Sequence, residues 1–266
     1  MTDLVKALGW ETGWRGSAHV LALLAGATLG LLLAGFVASA LVGASPVLVQ
    51  AAIWAGWLLW LGAVFPRNAT WDASHPCAFP YRRAFTREIL LGVGVAFSQI
   101  LRPALIGVAE AGAATTSLAY LLAGGALVLG GFATIALGVS ALGVARTLFV
   151  FEYVRGQRSI LNAGIYRFLR HPLFLGGTTT SLGLAVCTAD RTAIALGLLN
   201  ACVVPFYVWL EDRRCCTILG PDYGAYRASV GGMVPRRRAA ISASASRRQP
   251  SGRAGPITER SRVSRR

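Results

Sequence analysis

An all-α, polytopic membrane helix bundle of about six transmembrane helices is the fold class this sequence predicts, and three observations predict it. Of 266 residues, 55% are hydrophobic and only 14% are charged, where soluble domains carry about 25% charged residues. Apolar stretches of membrane-crossing length, about 20 residues, recur along the chain. The arginines fall almost entirely between those stretches. The net charge of +15 therefore implies no nucleic-acid partner, since such a partner leaves the apolar spans unexplained.

The spans fall at roughly 17–42, 46–65, 88–109, 117–145, 172–188 and 192–210. The first is too long for the apolar region of a signal peptide and reads as a retained helix, although Ala38-Ser39-Ala40 mimics a cleavage site. In the second, Trp54, Trp57 and Trp60 recur every three residues and share one helix face, which packing or lipid contact explains. The third carries Arg102, a costly charge in hydrocarbon that must snorkel or pair, with Glu110 as the expected neighbour. In the fourth, Gly130 and Gly138 flank Thr134 at four-residue steps, a small-residue face suited to close helix approach. The fifth and sixth are joined by a very short turn at Asp190-Arg191 and must form an antiparallel hairpin.

Basic residues mark the cytoplasmic side. With the N-terminus inside, Lys6, Arg15, Arg67, Arg82, Arg83, Arg87, Arg146, Arg155, Arg158, Arg167, Arg170, Arg213, Arg214 and Arg227 all fall on one side. Arg191 falls on the other, with Arg102 if the third helix ends at Pro103. The expectation is an integral membrane protein, with the cell inner membrane as its site and both termini cytoplasmic. Residues 1–150 hold helices one to four and a polar loop at 66–87; residues 151–235 hold the hairpin and its flanks. Residues 236–266 hold ten of the 26 basic residues in a Ser/Arg-rich tail. Such a tail cannot bury enough apolar surface to order itself, and anionic lipid headgroups attract it at about 1 kcal/mol per arginine.

Five cysteines (Cys77, Cys187, Cys202, Cys215 and Cys216) show no zinc-ligand spacing. Cys187 and Cys202 read as small buried hydrophobes. His75, alone in the polar loop, is no basis for a metal site, and none is expected.

Two polar clusters bracket the hairpin. Before it stands Arg167-Phe168-Leu169-Arg170-His171-Pro172-Leu173-Phe174-Leu175-Gly176; after it stand Glu211-Asp212 and Leu219-Gly220-Pro221-Asp222-Tyr223-Gly224-Ala225-Tyr226. The hairpin returns Glu211 to the leaflet where His171 begins, so residues about 40 positions apart can converge. Pro172 suits the first turn of a helix. The N–H groups of that turn, with Arg170, can seat an anion such as a carboxylate.

Arg170-His171-Pro172-Leu173-Phe174-Leu175-Gly176, then Glu211-Asp212, then Leu219-Gly220 with Tyr223 and Tyr226, resemble the C-terminal signature of integral membrane methyltransferases. That group includes the isoprenylcysteine carboxyl methyltransferases and the phospholipid N-methyltransferases. The likeness covers roughly 160–235, and nothing diagnostic stands in the first 150 residues. The resemblance implies S-adenosylmethionine at the cytoplasmic face and a lipophilic or membrane-soluble acceptor entering from the lipid: a prenylcysteine-type carboxylate, a phospholipid amine or a small thiol. It implies that Arg170, His171, Pro172, Leu173, Gly176, Glu211, Asp212, Tyr223 and Tyr226 surround the cofactor. Arg167 and Phe174 are then expected to face the substrate, and His171 and Glu211 to be catalytic, taking a proton from an amine or thiol acceptor. Two departures stand out. Asp212 replaces a second glutamate and reaches one methylene less, so contact is expected first at Glu211. Phe174 replaces a tyrosine and lacks its hydroxyl. They are also the main support for the rival reading, a non-catalytic membrane accessory protein that keeps the fold.

Overall fold

In the computed structural model, residues 1–64, 80–111, 116–153 and 159–236 are described. Expectations placed on Arg67, His75, Cys77, Arg155, Arg158 and the tail beyond Arg236 lie outside those residues. A short helix α1 (Thr2–Ala7) precedes α2 (Trp14–Val42), which closes on Gly43 at φ 62°, the left-handed position where glycine carries no Cβ penalty. Ser45 caps α3 (Pro46–Leu59) by accepting from Leu48 N, and Pro46 fits its first turn. A π-helical turn, Trp60–Val64, extends it. Helix α4 (Pro80–Ala84) runs through a second π turn, Phe85–Ile89, into α5 (Leu90–Ala111). Then come α6 (Leu118–Leu142), α7 (Pro172–Thr188), α8 (Arg191–Leu219) and α9 (Pro221–Ser229).

The polytopic all-α bundle is therefore observed. Among the described residues, five helical stretches, Trp14–Val42, Pro46–Ala63, Pro80–Glu110, Leu118–Leu142 and Arg191–Leu219, are long and apolar enough to cross a membrane. The sixth expected span, α7, has 17 residues and rises about 25 Å, slightly less than a hydrocarbon core of about 30 Å. Large side chains such as Leu29, Leu33, Leu41, Leu122 and Phe206 stand on the outer surface, where lipid is the solvent that tolerates them.

Close approach of α6 and α7 rests on reciprocal glycines. A Cβ on Gly131 meets Gly176 O at 2.7 Å, one on Gly176 meets Gly131 O at 2.7 Å, and one on Gly183 meets Gly124 O at 2.7 Å. The contact face is thus Gly124, Gly131 and Gly138, spaced by seven, rather than the expected Gly130 and Gly138. Gly130 faces open space, and Thr134 returns its hydroxyl to the Gly130 carbonyl at 2.8 Å. With contacts to a neighbour required on every second turn, a seven-residue step keeps a helix face aligned where a four-residue step drifts around it.

The third span, expected at 88–109, is observed as α5, which continues through Pro103. Two further expectations are corrected. Arg102 is turned inward to α2, where its Nη2 donates to Ser39 Oγ at 3.1 Å and its guanidinium lies 6.0 Å from the Phe36 ring, so its neighbour is Ser39 rather than Glu110. Cys202 is exposed rather than buried, and Cys187 is half-buried against Gly124 of α6.

The hairpin turn is tight. Ala189 takes φ 54°, and the Asp190 carboxylate accepts from Ala193 N at 2.7 Å to start α8. His171 and Asp212 each stand about 20 residues, or roughly 30 Å of helix, from that turn. This is one hydrocarbon thickness, and it delivers both to the same end of the bundle. Helix α8 does not stop at the membrane boundary near residue 210 but continues to Leu219, ended by Gly220 at φ 71°.

Candidate active site

Asp212 is the centre of the polar end. Its Oδ2 accepts from Arg170 Nη2 at 2.9 Å, and its Oδ1 accepts from Tyr223 OH at 2.7 Å and lies 2.8 Å from His171 Nε2. Arg227 Nε stands 3.5 Å from Oδ2. A carboxylate holding two guanidiniums and a phenol is acceptor-only. His171 Nε2 must therefore carry the proton of that bond, which leaves Nδ1 free of the Asp212 contact.

Arg170 does a second task. Its Nη1 donates to the carbonyls of Arg227, at 2.9 Å, and Val230. These carbonyls close α9, where a cation is favourable. Its backbone N–H bonds Gly231 O at 2.8 Å, and the His171 N–H bonds Gly232 O at 3.2 Å. Tyr226 OH donates to Tyr166 O at 2.8 Å. The segment after the hairpin is thus clamped over the turn before it. Burial raises the phenols of Tyr166 and Tyr223 well above the ordinary tyrosine value, and burial pushes Tyr226 up to about 12. All three stay neutral hydrogen-bond donors at any physiological pH.

Beside this hub lies a cavity of about 420 Å³, within the size range of small-molecule sites. Its polar end is lined by Glu88, Arg146, Ser159, Glu211 and Arg214; its apolar walls include Trp57, Trp60, Ile100 and Phe132. Glu211 Oε1 accepts from Arg214 Nη2 at 2.8 Å, and the Arg214 guanidinium stacks 4.6 Å from the Phe149 ring. Phe149 takes φ 61°, a conformation that costs a bulky residue of order 1–3 kcal/mol and is characteristic of functional sites. An aromatic run, with His171–Phe174, Phe174–Tyr207 and Tyr207–Trp57 ring centroids 5.7, 4.7 and 6.5 Å apart and Trp57 stacked on Trp60 at 5.0 Å, leads from the polar end along the wall.

Of the residues singled out from sequence, Arg170, His171, Pro172, Leu173, Phe174, Glu211, Tyr223 and Tyr226 line this cavity. Three stand elsewhere. Asp212 lies behind the wall as the hub. Gly176 faces α6 as a packing contact. Arg167 is exposed. Sequence reading passed over Glu88, Arg146, Ser159 and Arg214. Glu88 carried the only available signal, as the one acid beside Arg82, Arg83 and Arg87 at the start of an apolar run.

A methyl-donor nucleotide fits the polar end on its donor set. Glu88 is already held by Arg87 and Tyr153, but the Glu211 carboxylate suits an α-ammonium, and Arg146 and Arg214 suit a carboxylate. Arg170, by contrast, has both terminal nitrogens committed within the protein.

The comparisons with known proteins agree with the membrane methyltransferase class. Residues 119–217 match the phospholipid methyltransferase family model, which takes in α6, α7 and nearly all of α8, and so begins earlier than the likeness read from the sequence. Over 78 residues the chain is 32% identical to methanethiol S-methyltransferase 1 of Bradyrhizobium diazoefficiens, covering 28% of this chain and 25% of that protein. The alignment thus spans about a quarter of the curated relative. No solved structure matches the chain. Together they support the resemblance to integral membrane methyltransferases.

Proposed function

We propose that the protein transfers a methyl group from S-adenosylmethionine to a lipophilic or membrane-soluble acceptor at the cytoplasmic membrane face. The single observation that carries this reading is the cavity that joins a carboxylate- and guanidinium-lined end to an aromatic and aliphatic wall. When bound, S-adenosylmethionine supplies an electrophilic methyl group on a sulfonium, so the protein has no electrophile to generate.

Glu211 would pair with the α-ammonium of the donor, and Arg214 and Arg146 would hold its carboxylate. The aromatic run from Phe174 to Trp60 positions the acceptor and excludes water; alignment of this kind can lower a barrier by several kcal/mol. His171, held at Nε2 by Asp212, takes the proton of a thiol or amine at Nδ1. A carboxylate acceptor needs no base. The cytoplasmic placement rests on the arginine bias, and the basic tail adds an attraction to anionic headgroups.

The test is incubation of the purified protein with methyl-labelled S-adenosylmethionine and a total lipid and small-molecule extract. A labelled product, lost in Glu211→Gln, is the expected result. Absence of both labelled product and S-adenosylhomocysteine binding would overturn the proposal.

A further inference from the structure

Inside the bundle, about three turns from the polar rim, sits a second group of polar side chains that the methyl-transfer site does not use. Asn200 of α8 is its keystone. Its Oδ1 accepts from Gln50 Nε2 at 2.7 Å and Trp54 Nε1 at 2.8 Å, both on α3. Its Nδ2 donates to Gln99 O of α5 at 2.7 Å and to Ser181 Oγ of α7 at 2.9 Å. The amide of Asn200 is fully satisfied and ties four helices together.

The Gln99 amide is different. It is 2% exposed, and neither its Oε1 nor its Nε2 makes a hydrogen bond; the same holds for Thr178 Oγ1. Gln99, Thr178, Ser181 and Asn200 all line the cavity described above. Thr178 and Ser181, three residues apart, share one face of α7. A buried amide with both ends unpaired is expensive, and an apolar residue of the same size is cheaper if nothing is to be bound there.

We propose that Gln99 and Thr178 form a subsite for a neutral hydrogen-bonding group, a hydroxyl or a carbonyl, carried by an otherwise apolar methyl acceptor. The group is neutral because no ionisable side chain belongs to this set, and a charge placed there would be unpaired. Asn200 lies about 16 Å from Glu211 along α8, and Thr178 about 10 Å from His171 along α7. The acceptor is therefore an elongated molecule with its reactive atom near one end and its second polar group roughly 10–16 Å away. That the bound molecule is a methyl acceptor rests on the proposed function; the subsite itself does not.

The test uses the full-length protein in nanodiscs and two probes of equal length, a terminally dibrominated undecanol and the corresponding dibrominated undecane. Bromine quenches the fluorescence of Trp54, Trp57 and Trp60, so binding is read without turnover. The wild type should prefer the alcohol by about tenfold or more, and Gln99→Leu should reduce that preference to about twofold or less. Gln99→Leu should melt no lower than the wild type, because the amide has no partner to lose. Should that variant fail to fold, Thr178→Val carries the same expectation. Equal affinity for both probes in the wild type would mean that water serves the amide, and it would overturn the subsite, as would an undiminished preference in a folded Gln99→Leu or Thr178→Val. If the alcohol preference holds but no acceptor is methylated, the methyltransferase reading falls and the subsite stands.

Discussion

Arg170 and Asp212, 42 residues apart in sequence, meet in a 2.9 Å ion pair that closes the hairpin at the end of the bundle carrying the cavity. The side chains are 8% and 4% exposed, so neither charge is relieved by solvent. Removing one partner from a buried pair leaves the other uncompensated, at a cost of about 3–5 kcal/mol. Asp212→Ala should lower the melting temperature sharply and loosen α9, and Asp212→Glu should not restore it, because a longer stem displaces the carboxylate from Tyr223 and His171. An unchanged melting temperature in Asp212→Ala would show that the hub does not hold the fold.

Glu211, one residue away, should behave in the opposite manner. Its pairing with Arg214 lies within one helix, and the amide oxygen of a glutamine there can still accept from Arg214. Glu211→Gln should leave melting nearly unchanged while weakening S-adenosylhomocysteine affinity by about tenfold or more, as expected when a charge-assisted hydrogen bond is lost. Calorimetric titration of the two variants separates the roles. If Glu211→Gln binds normally, Glu211 is not a cofactor ligand.

The contrast shows how far the sequence could be read. Span positions, the hairpin and the meeting of the Arg170-His171 and Glu211-Asp212 clusters were legible, because hydropathy and helix rise fix which leaflet each residue reaches. The division of labour between adjacent acids was not. Glu211 and Asp212 differ by about 100° around α8, and only the packing of α7 and α9 decides which one faces the cavity. Glu88, Arg146 and Ser159 were missed for a related reason: they approach from elements with no motif. Gln99 and Asn200 are single polar residues in apolar spans, and such isolated positions carry no periodicity to expose them.

Helix register also decides the glycines of α6. Gly131→Val places a side chain against the Gly176 carbonyl and the Thr180 hydroxyl, whereas Gly130→Ala meets nothing within 4 Å. The first should break the α6–α7 contact and abolish folded protein, because backbone on the opposing helix cannot yield. The second should be neutral or stabilising by up to about 1 kcal/mol, the helix preference of alanine over glycine. Yields of folded protein after detergent extraction, followed by thermal melting, distinguish the two. Equal tolerance at both positions would show that α6 and α7 are not in close contact.

Tyr226 gives the pH dependence. Burial is the main reason its phenol titrates at about 12 instead of 10.0. Between these values the unfolded chain releases a proton that the folded chain keeps, so stability is full below pH 10 and is lost as pH rises through about 12. Tyr166 and Tyr223, raised by burial in the same direction, steepen the loss. Tyr226→Phe should melt lower at neutral pH, since it leaves the Tyr166 carbonyl without its donor at a cost of about 1–3 kcal/mol. The same variant should lose less additional stability between pH 10 and 12 than the wild type. Phenolate absorbance followed alongside melting checks both. Ionisation of all tyrosines near pH 10 in the folded protein would show that α9 is not docked on the Tyr166 turn in solution.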